Sequence, residues 1–296
     1  MTRSPEHRRP GGSKQLVEGE FLFTDEDFRR ISAMLHADAG IALPETKATL
    51  VYSRLAKRLR ALGLSSFRDY CALLGERSGA GERQTMMAAL TTNVTRFFRE
   101  PHHFDHLESK ILPKLVERAK AGGRVRIWSA GCSNGQEPYS IALTVLSLMP
   151  DAADHDVRIL ASDIDPNMVA EGRHGAYRDD IVAPIPLEVR RRWMTPMDGG
   201  KSWSVCEQMR QLVSFRELNL IGIWPMKGPF DVIFCRNTVI YFEEDTQSKV
   251  WSRFAPLLAD DGALYIGHSE RLTGSAASQF VNDGLTTYRK SDGGRA

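Results

Sequence analysis

The sequence predicts an α/β fold: a doubly wound, mostly parallel sheet that carries a small antiparallel insert and follows an all-helical segment. Three observations carry that prediction. Strand-like apolar runs at 125–128, 157–161, 231–235 and 263–267 alternate with helical patterns at 138–148, 167–171 and 246–258, and such alternation builds a parallel sheet with helices on both faces. Residues 21–90 are helical in pattern throughout. Between Tyr177 and Leu220 the alternation breaks. There, 202–208 and 212–218 read as two neighbouring strands, hence an antiparallel hairpin within an insert at about 178–217.

In chain order, residues 1–20, with Arg8, Arg9, Pro10, Gly11 and Gly12, lack the apolar core of a signal peptide and read as a disordered tail. The helical domain covers 21–90. Thr24, Asp25, Glu26 and Asp27 offer an N-terminal cap before Phe28, Ile31 and Leu35. Pro44 opens a second helix with Val51, Leu55, Leu59 and Leu62 on one face, and Gly63 closes it. Helical segments follow at 67–74 and 82–90. Residues 91–105 link the halves, 107–119 is a helix, the α/β domain runs over 106–290, and 291–296 is a tail.

Composition narrows the function classes. A 296-residue chain with 42% hydrophobic and 26% charged residues has the make-up of a soluble globular protein, and no apolar run reaches the roughly 18 residues of a membrane span. Cys71, Cys132, Cys206 and Cys235 form no CxxC pair, which suits a reducing cytoplasm and argues against zinc or a disulfide framework. A net charge of +2 does not point to nucleic acid.

The stretch from Trp128 to Pro138 joins a strand to a helix through Gly131, Ser133 and Gly135. Small residues there let a ligand approach backbone and helix N-terminus. The next strand ends in Ser162 and Asp163, and an acid at that tip suits a ribose diol. The pair points to an adenosine compound, against the alternative of a tight turn without a ligand. Gly131, Ser133 and Gly135 also match the nucleophile elbow of a hydrolase, with Asp231 and His268 in the right order. Against that, everything before Arg124 is helical. A third strand, Phe230–Cys235, ends in Arg236 and Asn237, with Tyr241 four residues beyond Asn237. The other reading makes Asn237 a turn cap and Tyr241 a core residue. Asn93 and Thr95 either fix a turn or face a ligand, and Arg99 either does the same or pairs with Glu100 on the surface. His102, His103 and His106 lack supporting ligand spacing, so no metal is expected. Lys47, Arg54, Lys57, Arg58, Arg60 and Arg68 form a basic stretch with no acid between Glu45 and Asp69. Such a face is most often only solvated, but six cations without an anion favour docking to an acidic protein or to phosphate.

From about Phe23 to Tyr288 the chain resembles the CheR-type chemoreceptor glutamate O-methyltransferases. The blocks that carry the resemblance are Val51–Leu64 (VYSRLAKRLRALGL), Thr91–Phe104 (TTNVTRFFREPHHF), Gln136–Ile141 (QEPYSI), Ser162–Asp165 (SDID), 229–242 (PFDVIFCRNTVIYF) and Gly267–Glu270 (GHSE). The resemblance implies a helical N-terminal domain, a linker that contributes to the cofactor site, and a Rossmann-like methyltransferase domain with a small β-subdomain. The cofactor is then S-adenosylmethionine, with S-adenosylhomocysteine as product. It implies cofactor contacts at Asn93, Thr95, Arg99, Glu137, Asp163, Asn219, Leu220, Arg236 and Asn237. Arg99 and Tyr241 fall near the reacting carboxylate, and Arg54, Lys57, Arg58 and Arg60 on a receptor-docking helix. The implied partner is the cytoplasmic helical domain of chemoreceptors, with a receptor C-terminal peptide at the β-subdomain in some members. Neither nucleic acid nor membrane insertion is expected. The loop from Ala130 to Gly135 departs from the general methyltransferase pattern G-x-G-x-G, as it does among family members.

An ionised glutamate acceptor needs no general base, its unperturbed pKa being about 4.3. That agrees with the lack of a convincing base between Asn237 and Tyr241. The alternatives are a methyltransferase for another protein substrate and a cofactor-binding receptor module without turnover. A nucleic-acid amino-methyltransferase would carry Asn/Asp-Pro-Pro-Tyr/Phe where this chain has Cys235, Arg236, Asn237 and Thr238.

Overall fold

The structure is a computed structural model that describes residues 14–291. The chain divides at Thr91/Thr92 into two units. The expected tails over 1–13 and 292–296 lie outside the described residues. Residues 14–20 are not a loose tail: β1 (Gln15–Val17) pairs antiparallel with β2 (Phe23–Thr24).

The first unit continues with α1 (Asp25–Ala39), α2 (Ala48–Leu62), α3 (Phe67–Gly75) and α4 (Ala80–Leu90). Thr24 caps α1 as its sequence predicts. Its Oγ1 accepts the Asp27 amide at 3.2 Å while Asp27 Oδ2 accepts the Thr24 amide at 3.0 Å, which satisfies two donors that the first turn leaves over. Gly63 ends α2 at φ +66°, where a side chain would be strained, and the Leu64 amide reaches back to the Leu59 carbonyl at 3.0 Å. Phe23, Ile31, Leu35, Val51, Leu55, Leu59 and Phe67 are completely buried. Leu62, expected on the same stripe, is 39% exposed because the helix ends before the core reaches it.

In the second unit, α5 (Pro101–His106) passes through a π-helical turn at Leu107–Ile111 into α6 (Leu112–Lys120). There follow β3 (Val125–Ala130), α7 (Gln136–Leu148), β4 (Val157–Asp163), α8 (Pro166–His174), β5 (Ala176–Arg178), α9 (Asp179–Val182), α10 (Leu187–Trp193), β6 (Met194–Met197) and β7 (Ser202–Val205). The chain closes with α11 (Glu207–Leu212), β8 (Val213–Glu217), β9 (Phe230–Cys235), α12 (Glu244–Phe254), β10 (Leu258–Ile266), β11 (Phe280–Gly284) and β12 (Thr287–Lys290).

Seven strands form one sheet in the order β11-β12-β10-β9-β3-β4-β8. The five strands from β10 to β8 run parallel, and β12 and β11 add an antiparallel edge. β9 is buried along its whole length, so it needs the continuous apolar run that its sequence shows. From β3 the chain winds outward through β4 to β8, then returns to the other side of β3 for β9 and β10. Right-handed crossovers in opposite directions set α7 and α12 on opposite faces and leave a switch point between β3 and β9.

The expected hairpin at 202–218 does not form. β7 joins the three-stranded antiparallel sheet β5-β7-β6, whereas β8 lies parallel to β4 in the large sheet. Helix α11 separates them, and β8 buries Val213 and Phe215 before its end opens to solvent at Arg216 and Glu217. The small sheet therefore spans 176–205 and ends before the expected boundary at 217.

Candidate functional site

The site is built where the carboxyl ends of β3, β4 and β9 meet. After β3 the chain turns through Gly131 (φ +85°), Ser133 (φ +48°) and Gly135 (φ +94°). At Gly131 a Cβ would lie 2.2 Å from Thr238 Oγ1, so only glycine lets this loop press against the loop that follows β9.

Asp163 ends β4 and is 8% exposed. Its Oδ2 accepts the Ser133 amide at 2.8 Å and its Oδ1 accepts the Asp165 amide at 3.0 Å. Burial pushes this carboxyl above the usual range, with the two amides working against the shift. A carboxylate offers roughly four acceptor sites, so Asp163 keeps capacity for two hydroxyl donors. Asn93 joins it indirectly: its Nδ2 donates to Asp165 Oδ2 at 2.9 Å, and its carbonyl accepts the Ser133 hydroxyl at 3.0 Å. Asn219 and Leu220 arrive from the other side, since the Leu218 amide donates to the Asp163 carbonyl at 2.9 Å. Asn219 Oδ1 then accepts the Ile221 amide at 3.0 Å, and Leu220 is buried.

Glu137 opens α7 with its side chain 12% exposed. It accepts the Ser129 hydroxyl at 2.8 Å and lies 3.4 Å from Arg236 Nη1. Burial raises its pKa, opposed by the charge of Arg236 and the Ser129 hydroxyl. Arg236 is nearly sealed, its side chain 1% exposed. The guanidinium lies over the rings of Phe104 and Phe234, at 5.6 and 5.9 Å from their centroids, and donates to the Arg99 carbonyl. Its Nε and Nη1 carry no hydrogen bond. The Arg99 guanidinium bonds the Val94 carbonyl at 3.1 Å, within the connector. Thr95, in the same connector, is half-buried. Asn237 sits at φ +57° directly after Arg236. Tyr241 closes the 3₁₀ turn Val239–Tyr241, half-buried, and among the described residues no hydrogen bond forms on its hydroxyl.

Two acids to which the sequence assigns no role in the site, Glu100 (expected at most as a surface partner of Arg99) and Glu270, organise it. Glu100 lies 3.6 Å from Arg236 Nη2 and accepts from His268 Nδ1 at 3.0 Å. Burial raises its pKa, but Arg236 and His268 outweigh that and hold it below the usual range. Its backbone is left-handed, at φ +57°, which no local signal announces for a glutamate. Glu270, four residues beyond the end of β10, is 1% exposed and receives the amides of the loop after β9. The signal was present in the Gly267–Glu270 block, where an acid follows a strand end.

The hydrolase constellation is not assembled. The register pairs Ile127 with Val232, so Asp231 stands level with Arg126, four residues and roughly 13 Å below Ala130. Asp231 is bound there by Arg118 and by the Arg126 amide. Ser133 instead donates to Asn93, and His268 pairs with Glu100. The histidine cluster also separates. His106 bonds Tyr265 Oη at 2.9 Å and lies 3.3 Å from Asp283. Glu100, His102 and His103 each bring a ligand atom within 4.8 Å of the others, but the Arg236 cation beside Glu100 opposes a second cation there.

In the first unit, the basic stretch is not free of anions in space. Arg54 donates to the carbonyls of Ala89 and Thr91 at 3.1 and 2.6 Å, closing the end of α4. Arg58 pairs with Glu82 at 2.7 Å, and the Glu82 side chain is only 9% exposed and also accepts Tyr70 Oη. Arg60 meets Glu20 at 2.7 Å with both side chains exposed. Lys57 is exposed. Arg54 and Arg58 are thus structural, because the fold brings carbonyls and acids from distant segments that linear spacing cannot reveal.

Two family models match the chain: the CheR methyltransferase all-alpha domain over residues 26–91, and the CheR methyltransferase SAM binding domain over residues 93–289. The chain is similar to a probable chemotaxis protein methyltransferase of Rhizobium etli, 56% identical over 258 residues, covering 86% of this chain and 96% of the relative. It is also similar to chemotaxis protein methyltransferase 2 of Pseudomonas aeruginosa, at 42% identity covering 91% and 94%. The chemotaxis protein methyltransferase of Escherichia coli is 40% identical, with 93% of each chain covered.

Proposed function

Since the chain belongs to the CheR methyltransferase family, we propose that it moves the methyl group of S-adenosylmethionine onto glutamate γ-carboxylates of chemoreceptors, as part of chemotactic adaptation. The observation that carries this reading is the convergence of Asp163, Glu137 and Arg236 at the switch point of the sheet. The donor set fits the cofactor. Asp163 has acceptor capacity for a ribose diol. The nearly buried Glu137 carboxylate suits an ammonium group, and Nε and Nη1 of Arg236, which carry no hydrogen bond, suit a carboxylate. Asn93, Thr95, Arg99, Asn219, Leu220 and Asn237 complete the set that would hold it.

When bound, S-adenosylmethionine supplies an electrophilic methyl group on a sulfonium. The chain itself has no proton to move, because the acceptor carboxylate is ionised at neutral pH. Arg99 and Tyr241 orient that carboxylate, and in-line placement contributes several kcal/mol, up to ~7–11 in ideal intramolecular cases. Pairing between Arg99 and the carboxylate must stay loose, since tight ground-state binding would slow transfer. The aromatic walls of Phe104 and Phe234 keep water from the Arg236 side of the site.

Receptor docking falls to the exposed Lys57 and Arg60 of α2, acting on an acidic face of the cytoplasmic helical domain of the receptor. The small sheet ends in the edge strands β5 and β6, to either of which a receptor C-terminal peptide can add a strand. Transfer of labelled methyl to receptor-bearing membranes tests the function. Base-labile methyl esters on receptor glutamates are expected. Label that appears only on other proteins would assign a different substrate, and binding of S-adenosylhomocysteine without any transfer would reduce the chain to a binding module.

A further inference from the structure

We propose that Glu270 is a positioning residue: its carboxylate holds the loop after β9 in the one shape that presents Asn237 to the cofactor. The inference rests on the assignment of Asn237 to the cofactor site.

The geometry is unusual for a single side chain. Glu270 Oε2 accepts the amides of Gly267 at 2.6 Å and Asn237 at 2.9 Å. Oε1 accepts those of Thr238 at 2.9 Å, Val239 at 2.9 Å and Ile240 at 3.3 Å. Successive amides aimed at one point form an anion nest, and here the chain supplies its own anion. The Glu270 amide bonds the Gly267 carbonyl at 2.9 Å, so a tight turn after β10 carries the carboxylate back to the exit of β9.

Three features tie this nest to the site rather than to general stability. The held segment runs from Asn237 to Ile240, directly between Arg236 and Tyr241. Asn237 is left-handed at φ +57°, a conformation that asparagine tolerates but that few residues share, and its amide is one of the five on Glu270. At Gly267 a Cβ would lie 2.7 Å from the Asn237 nitrogen, so the two strand exits are in contact where the carboxylate laces them. A carboxamide at 270 would turn an N–H donor toward amides that are themselves donors.

Amide exchange and S-adenosylhomocysteine binding, measured on the full chain, test the proposal. In the wild type the amides of Gly267, Asn237, Thr238, Val239 and Ile240 should exchange about 100-fold or more below unprotected rates although they lie in loops. In Glu270→Gln they should exchange faster while those of β4 stay protected, and affinity for S-adenosylhomocysteine should fall about tenfold or more. Asn237→Ala serves as the reference. If it leaves affinity unchanged, the site assignment fails and takes the inference with it. If Asn237→Ala weakens binding and folded Glu270→Gln does not, Glu270 has no positioning role and the site stands. Should Glu270→Gln not fold, Glu270→Asp, which keeps the charge, supplies the affinity readout. Unprotected exchange of the five amides in the wild type overturns the proposal by itself.

Discussion

Asp163 was legible in the sequence because one rule of strand-tip chemistry applies to it, and the structure adds what that rule does not contain: two amides that fix both of its oxygens. Arg236 stood out by its place at a strand tip, whereas Glu137 was reachable only through the family resemblance. Nothing local announces that a glutamate in the first turn of α7 and an arginine at the tip of β9 will be buried together. Tyr241 offers a clean functional test, since its hydroxyl serves no partner among the described residues. Tyr241→Phe should lower turnover on receptor while leaving S-adenosylhomocysteine affinity within twofold, by order of magnitude from a loss confined to the transition state. Unchanged turnover would remove Tyr241 from the reaction.

His103 gives a pH prediction at the same scale. It is completely buried and faces Glu100, His102, Arg236, Thr286 and the Tyr265 ring. Burial, with Arg236 and His102 adding, depresses its pKa to about 3. The unfolded chain takes up the same proton near pH 6.5, so it binds more protons below that pH. This contribution to stability is complete above about pH 6.5 and is lost as pH falls toward 3, by at most ~1.4 kcal/mol per unit. His103→Gln is expected to be less stable than wild type at pH 7, with the gap narrowing by pH 5 in urea unfolding. Parallel curves would contradict the burial of a neutral imidazole.

Among the elements, those with long periodic patterns were readable: α1 with its Thr24 cap, α2 closed by Gly63, and the apolar central strands. The short ones were not. β5 and β6 are three and four residues long, too short for alternation to show. β8 was misassigned because sequence proximity to β7 outweighed the longer-range parallel pairing with β4. α2 shows the same limit for charge, since Glu82 and Glu20 are remote in sequence. The two kinds of arginine on α2 should therefore separate. Arg58→Glu sets a second acid against the nearly buried Glu82 and should destabilise the first unit by about 1–3 kcal/mol, the buried-pair range reduced for the partial exposure of Arg58. Arg60→Glu should leave the melt unchanged and weaken receptor methylation, more so at low salt. Equal destabilisation by both would refute the division.

On the scale of the whole molecule, the described residues include no helix long and apolar enough to cross a membrane. The two units match two family domains that meet between residues 91 and 93. The near-neutral balance of +2 hides local asymmetry: buried carboxylates and one buried guanidinium in the second unit, exposed cations on α2 in the first. The proposed cofactor contacts and the proposed docking cations Lys57 and Arg60 belong to different units, so variants in each test the two proposals apart.

The account depends most on the polar cluster at the sheet's switch point being the cofactor site. Calorimetric titration of wild-type protein and Asp163→Ala with S-adenosylhomocysteine tests it directly. The account predicts one site per chain, with affinity reduced about 10-fold or more in an Asp163→Ala protein of native circular dichroism, as for loss of hydrogen bonds to a charged group. Equal affinity in the two proteins, or no binding by the wild type, would contradict it.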